Sequence, residues 1–133
     1  MHRIMELKWS KPIQYGGDGK YDWPDYDGVY VIAKKSDEKL KAIYVGQGNI
    51  IENMQRHENK NEQNVCLKDF MQKRGKDTKV YHAKITNDED RNNAEYTVFA
   101  YYGGKDLLCN ENIPYGENIY TLNFPFDKVD LNY

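Results

Sequence analysis

Two short runs rich in β-branched and aromatic residues, Gly28 to Ala33 and Lys41 to Gly46, flank the charged segment Lys34 to Lys39. Runs of this length read as strands, and so short a link joins them only as an antiparallel hairpin. The hairpin carries two mirrored tripeptides, Gly28-Val29-Tyr30 and Tyr44-Val45-Gly46. They place two phenols side by side on one sheet, each close in sequence to a glycine.

The rest of the chain supplies what such a hairpin needs to bury its faces. A short loop, Gln47-Gly48-Asn49, leads into a helix over Ile50 to Asn59, with Asn49 as its N-cap. A second helix is expected from Glu62 to Lys73, turning Val65, Cys66 and Phe70 to the core and ending at Gly75. Lys79 to Ile85 alternates as a third strand with one buried face. Thr86-Asn87-Asp88-Glu89 has capping-box spacing and opens a helix running to Tyr102. A last strand is expected around Ile119 to Phe124. Turn residues up to Asp27 suggest an irregular arm, with a short strand near Leu7 to Trp9. The order β-β-α-α-β-α predicts an α+β fold: a small three-stranded antiparallel sheet flanked by helices. At 133 residues this is one domain, with arm 1–27, core 28–110 and C-terminal extension 111–133.

Composition narrows the partners. The chain is polar, 39% hydrophobic, with 12 tyrosines against 4 phenylalanines. A net charge of -2 argues mildly against a nucleic-acid partner, since such proteins are usually basic, but local patches decide binding. Lys68, Lys73, Arg74, Lys76 and Lys79 form one such patch, and an acidic tail follows Pro114. Cys66 and Cys109 are too few for a disulfide framework and lack metal-site spacing, so both are expected as reduced thiols. Met1 to Ser10 lacks an apolar core of signal-peptide length, and no run could span a membrane. The expected setting is intracellular, with no membrane partner.

Several residues could carry chemistry. Glu95 falls on the apolar stripe of its helix with Val98, Phe99 and Tyr102. A carboxylate there needs a partner or a cation. Either it is a rim glutamate paired with Arg91, or it holds a hard divalent ion whose other positions go to water and phosphate. His57 is a general base, proton relay or phosphate donor, or an exposed surface histidine. Arg56 beside it clamps a phosphate or pairs with Glu52. Tyr30 and Tyr44 either pack the sheet or relay a proton. Asn110 orients a loop or makes a turn.

In this order, Gly28-Val29-Tyr30, then Tyr44-Val45-Gly46-Gln47-Gly48-Asn49-Ile50, His57, Glu95 and Asn110 resemble the GIY-YIG endonuclease superfamily. The resemblance spans Gly28 to Asn110. It implies phosphodiester hydrolysis in nucleic acid, mostly DNA, with one divalent metal, Mg²⁺ or Mn²⁺. Glu95 matches the metal ligand. Tyr30 and Tyr44 match the motif tyrosines, one of which helps deprotonate the attacking water. His57 and Asn110 match a first-helix histidine and a late asparagine. Gly46, Gln47, Asn53, Lys73 and Arg74 join Asn110 as supporting or substrate-binding residues.

One position departs from the pattern. The family places an arginine one turn before the histidine, where this chain has Asn53. Arg56, three residues on, is the candidate substitute. Three readings follow: a small metal-dependent endonuclease, a nuclease-like module that binds nucleic acid or protein without cutting, and a regulatory protein whose acidic tail fills its own groove. A partner protein would supply specificity, since no second domain is visible.

Overall fold

The computed structural model describes residues 3–15, 22–36, 39–58, 62–73, 78–117 and 120–127. Its elements in chain order are β1 (Arg3–Met5), β2 (Ile13–Tyr15), β3 (Asp27–Ser36), β4 (Lys39–Asn49), α1 (Ile50–Glu58), α2 (Val65–Lys73), β5 (Thr78–Lys84), α3 (Asp88–Tyr101) and β6 (Tyr120–Leu122). β3 pairs antiparallel with β4 on one side and β5 on the other, giving the three-stranded core the sequence predicts. The hairpin is longer than its apolar runs, because the charged residues beyond Ala33 continue the ladder to Ser36↔Lys39.

Residues before Asp27 are less irregular than expected. β2 adds a fourth strand outside β5, and β1 runs parallel to β6. Leu7 to Trp9, expected as a strand, is not one. Leu7 N–H donates to Asn123 Oδ1 at 2.6 Å, and Asn123 Nδ2 donates back to the Leu7 carbonyl at 2.7 Å. A side-chain amide here takes the place of a neighbouring strand.

Alternation along β3 and β4 divides the interior in two. Val29, Val31, Val45 and Ala83 pack under Ala94, Val98 and Phe99 of α3. Tyr30, Ile32 and Val80 pack under Ile50 and Met54 of α1 and Leu67 of α2. β5 is thus covered on both faces, where the sequence suggested one.

The caps explain where the helices begin. Asn49 Oδ1 accepts from Glu52 N–H at 3.0 Å, the predicted N-cap of α1. The two amides before it donate to the Tyr26 and Pro24 carbonyls, so the arm satisfies groups a helix start leaves open. α2 starts later than expected because Asn64 is its cap, accepting from Leu67 N–H at 3.0 Å. That shift turns Val65 and Cys66 outward and buries Leu67 instead. α3 is capped by Asn87, one residue after the expected Thr86, through Asp90 N–H at 2.9 Å.

The cysteines correct a further expectation. Cys66 and Cys109 are joined as a disulfide rather than left as thiols. The fold brings their Cα atoms to 5.5 Å across 43 residues of sequence, within bridging range. Spacing in the chain carries no sign of that approach. No helix among the described residues is long and apolar enough to cross a membrane.

Candidate active site

The mirrored tripeptides become a single packing unit. Tyr30 stands opposite Gly46, and Tyr44 opposite Ile32, so the two rings are diagonal neighbours on one face. Their centroids are 6.2 Å apart, stacked at 28°. Gly46 is obligatory for this arrangement. A Cβ built there would lie 2.3 Å from the Tyr30 hydroxyl oxygen and 2.4 Å from Cζ. Tyr30 therefore lies across the space its partner leaves open.

β4 is an edge strand of this sheet, and its outer edge is covered by the segment after α3. Cys109 N–H donates to the Ile43 carbonyl at 2.6 Å. Asn110 then uses both ends of its amide on Val45: Oδ1 accepts from Val45 N–H at 3.1 Å, and Nδ2 donates to the Val45 carbonyl at 2.8 Å. Asn110 is buried, and it fixes the residue between Tyr44 and Gly46. This is a supporting role.

At that edge the two helical layers open a cleft of about 560 Å³. Tyr44 enters it from the sheet, Arg56 and His57 from α1, Glu95 from α3, and Glu62, Gln63 and Asn64 from the segment before α2. Asn110 to Pro114 form the remaining wall. Among the described residues nothing beyond Pro114 lines it, so residues 115–117 and 120–127 of the acidic extension do not fill the groove; the rest of that extension, with Asp130, lies outside the described residues. The described part packs on α3 instead, with Phe124 stacked on Tyr101 at 3.7 Å.

Behind the cleft runs a buried polar chain. Tyr30 is fully buried and does not face the opening. Its hydroxyl lies 2.7 Å from His57 Nε2 and 3.4 Å from Asn53 Oδ1. His57 is almost fully buried rather than a surface histidine, and its Nδ1 is 3.3 Å from Glu62 Oε2. Burial lowers the His57 pKa to about 4, although the Glu62 carboxylate pulls the other way. The ring is therefore neutral near pH 7. Burial likewise raises the pKa of Tyr30 and of Tyr44, so neither rests as a phenolate. Arg56 opposes that shift at both.

Asn53 is more than a missing arginine. Its Nδ2 donates to the Asn49 carbonyl at 2.7 Å, and its Oδ1 accepts from Arg56 Nη2 at 2.9 Å. Asn53 thus steers the exposed Arg56 guanidinium, which has no other hydrogen-bond or ion-pair partner among the described residues. The alternative pairing of Arg56 with Glu52 is not made.

Glu95 is half-buried, and burial raises its carboxyl pKa to about 7. Among the described residues it has no hydrogen-bond or ion-pair partner. The pairing with Arg91 fails because Arg91 is already engaged. It donates to Gln47 Oε1 at 2.7 Å, to the Ile85 carbonyl at 3.1 Å and to the Thr86 carbonyl at 3.3 Å, and it also bonds Asp88. Gln47, expected in the site, accordingly serves Arg91 on the opposite face of the sheet. Lys73 ends α2, and Arg74 lies outside the described residues.

No three His, Cys, Asp or Glu side chains among the described residues group as a metal cage. The half-buried donor toward a cation is the unpartnered carboxylate of Glu95 in an open cleft, whose lining also holds Glu62 and the exposed Glu111. That suits a hard ion that keeps most of its waters and is completed by phosphate oxygens. Sequence reasoning missed Glu62 and Asn64, which reach the site from ahead of α2. Asn64 was legible as a cap type in front of an apolar residue. Glu62 gave no signal, because its approach to His57 depends on how the chain turns between the helices. No protein-family model, no curated protein and no solved structure matches the chain.

Proposed function

We propose that this protein is a metal-dependent endonuclease that hydrolyses phosphodiester bonds in DNA, built on the plan of the GIY-YIG superfamily its motifs resemble. One observation carries the reading. Tyr44 from the sheet, Arg56 and His57 from α1 and Glu95 from α3 open on one cleft, where among the described residues Glu95 has no hydrogen-bond or ion-pair partner and Arg56 has Asn53 alone.

The roles follow from the chemistry each group can offer. Glu95 would hold one Mg²⁺ or Mn²⁺ ion, which when bound supplies positive charge to the phosphate and the leaving oxygen. Arg56, steered by Asn53, neutralises charge that grows on the non-bridging oxygens. The Tyr44 hydroxyl, at the cleft surface, takes a proton from the attacking water only if its own proton moves on, since burial disfavours a free phenolate. Tyr30 and His57 stand behind it to receive that proton. Asn110 and Gly46 hold the strand and the ring in register.

The test is cleavage of plasmid and single-stranded DNA by purified protein with Mg²⁺ or Mn²⁺. Cutting is expected, with loss of about a thousandfold for Glu95→Ala. DNA left intact at high protein concentration under both metals would sink the proposal.

A second reading is favoured by the cleft's charge. Glu62, Glu95 and Glu111 outnumber Arg56, and Asn53 stands where the resemblance expects arginine. A module that binds nucleic acid or a partner protein without cutting would give a salt-sensitive complex that survives Glu95→Ala. Metal-dependent cutting abolished by that substitution excludes it.

A further inference from the structure

The cleft chemistry leaves one buried charged group without a task. Glu62 is 8% exposed at its side chain, and that of His57 is 1% exposed. A carboxylate is costly to bury without a firm partner. The contacts of Glu62 among the described residues are His57 Nδ1 at 3.3 Å and the Asn64 N–H, which donates to Oε1 at 3.3 Å.

A neutral imidazole carries its proton on one nitrogen only, and the partner of one nitrogen decides the state of the other. A carboxylate cannot donate, so the proton between Glu62 and His57 sits on Nδ1. Nε2 is then a lone pair, aimed at the Tyr30 hydroxyl at 2.7 Å. Tyr30 then donates to it at 2.7 Å rather than to Asn53 Oδ1 at 3.4 Å, which leaves the Tyr30 oxygen free to accept from Tyr44, whose ring stacks on its own. Tyr44 in turn presents a lone pair to the cleft.

We infer that Glu62 is a positioning residue: it fixes His57 as the Nδ1–H tautomer and thereby points every hydroxyl of the Tyr44–Tyr30–His57 chain inward. Its use in catalysis rests on the endonuclease reading. As the water oxygen bonds to phosphorus, the water proton passes to Tyr44, that of Tyr44 to Tyr30, and that of Tyr30 to His57 Nε2. The bond to the leaving oxygen breaks, and that oxygen takes a proton from solvent. The imidazolium lies against Glu62 until the chain resets. The titratable and charged groups facing this ring are Tyr30 and Tyr44 from the sheet, Arg56 on its own helix, Glu62 ahead of α2 and Glu95 from α3.

The experiment is nitrogen NMR of the labelled His57 ring in the full chain at neutral pH, without metal or DNA. The native protein is expected to show a protonated Nδ1 and an unprotonated Nε2, and Glu62→Ala to lose that preference. An Nε2–H ring in the native protein, or an unchanged ring in Glu62→Ala, overturns the inference. If Glu62→Ala does not fold, the isosteric Glu62→Gln is read by pH–rate profile. It is expected to cut at least about tenfold more slowly at neutral pH, with the acidic limb displaced to lower pH, since the carboxylate that raises the His57 pKa is gone. A profile of native shape overturns the catalytic role and leaves the endonuclease standing. A native protein that never cuts removes the endonuclease, while the ring nitrogens still decide the positioning.

Discussion

The two faces of the central sheet are built from the same strands and solve different problems. Under α3 the interior is Val29, Val31, Val45, Ala83, Ala94 and Val98, and its buried arginine is saturated by protein acceptors. Under α1 and α2 the apolar residues surround a polar chain, Glu62 to His57 to Tyr30 to Asn53 to Arg56, which ends at an open cleft. One arginine closes a network, while the other leaves one unfinished. Well-packed apolar side chains in place of a buried polar network often leave stability unchanged or raise it, so this second network is weak evidence for a stabilising role.

The largest effect on stability belongs to the finished network. Arg91→Ala strips Gln47, the Ile85 and Thr86 carbonyls and Asp88 of their donor at once. We expect a loss of about 3–5 kcal/mol by denaturant titration. A loss below about 1 kcal/mol would mean that the α3 face is no more structural than its opposite.

The next effect concerns the cover of the tyrosine face. α1 and α2 are nine residues each, against fourteen for α3, and Cys66–Cys109 ties α2 to the segment that pins β4. Reduction is expected to cost about 2–4 kcal/mol, because it frees a long loop in the unfolded chain. Thermal melts with and without a dithiol reductant measure it. A paired loss of the Asn110 contacts, followed by amide exchange at Val45, would show the bridge acting on the site's edge.

Glu95 separates the faces by pH. Its folded pKa of about 7 lies above the ordinary carboxylate value of 4.5. The folded state therefore holds the proton more tightly than the unfolded state. The Glu95 contribution to stability is greatest below about pH 4.5 and falls as pH rises toward 7, by at most about 3 kcal/mol, while His57, with its lowered pKa, acts in the opposite sense. Glu95→Gln is expected to flatten that slope. Mg²⁺ or Mn²⁺ at pH 8 should stabilise the native protein and leave the variant unmoved.

Much of this architecture was legible because it rests on local rules. Alternation and the short charged link gave the β3–β4 hairpin, and Asn49 announced the start of α1. Glu95 stood out as a carboxylate on an apolar stripe. What stayed hidden depends on long-range approach. Cys109 reaches Cys66, Asn123 reaches Leu7 and Glu62 reaches His57 only once the chain has folded. The same limit applies to direction. The tripeptides placed Tyr30 and Tyr44 on one sheet, but only the packing over Gly46 shows that Tyr44 meets the cleft and Tyr30 does not.

Arg56 gives the smallest effect on stability and the sharpest division between the faces. It is exposed, with Asn53 as its partner among the described residues, so Arg56→Ala should change stability by under about 0.5 kcal/mol. Cleavage should nonetheless fall about a hundredfold, because the growing phosphate charge loses its cation. Arg56→Lys keeps the charge without the planar fork and should recover only part of the rate. Asn53→Ala lets the guanidinium drift and removes a partner from the Asn49 carbonyl, so it should lower rate and stability together. An Arg56→Ala protein that is destabilised yet cuts at the native rate would make Arg56 a second Arg91, and the polar chain beneath α1 would then be a structural network like the one under α3.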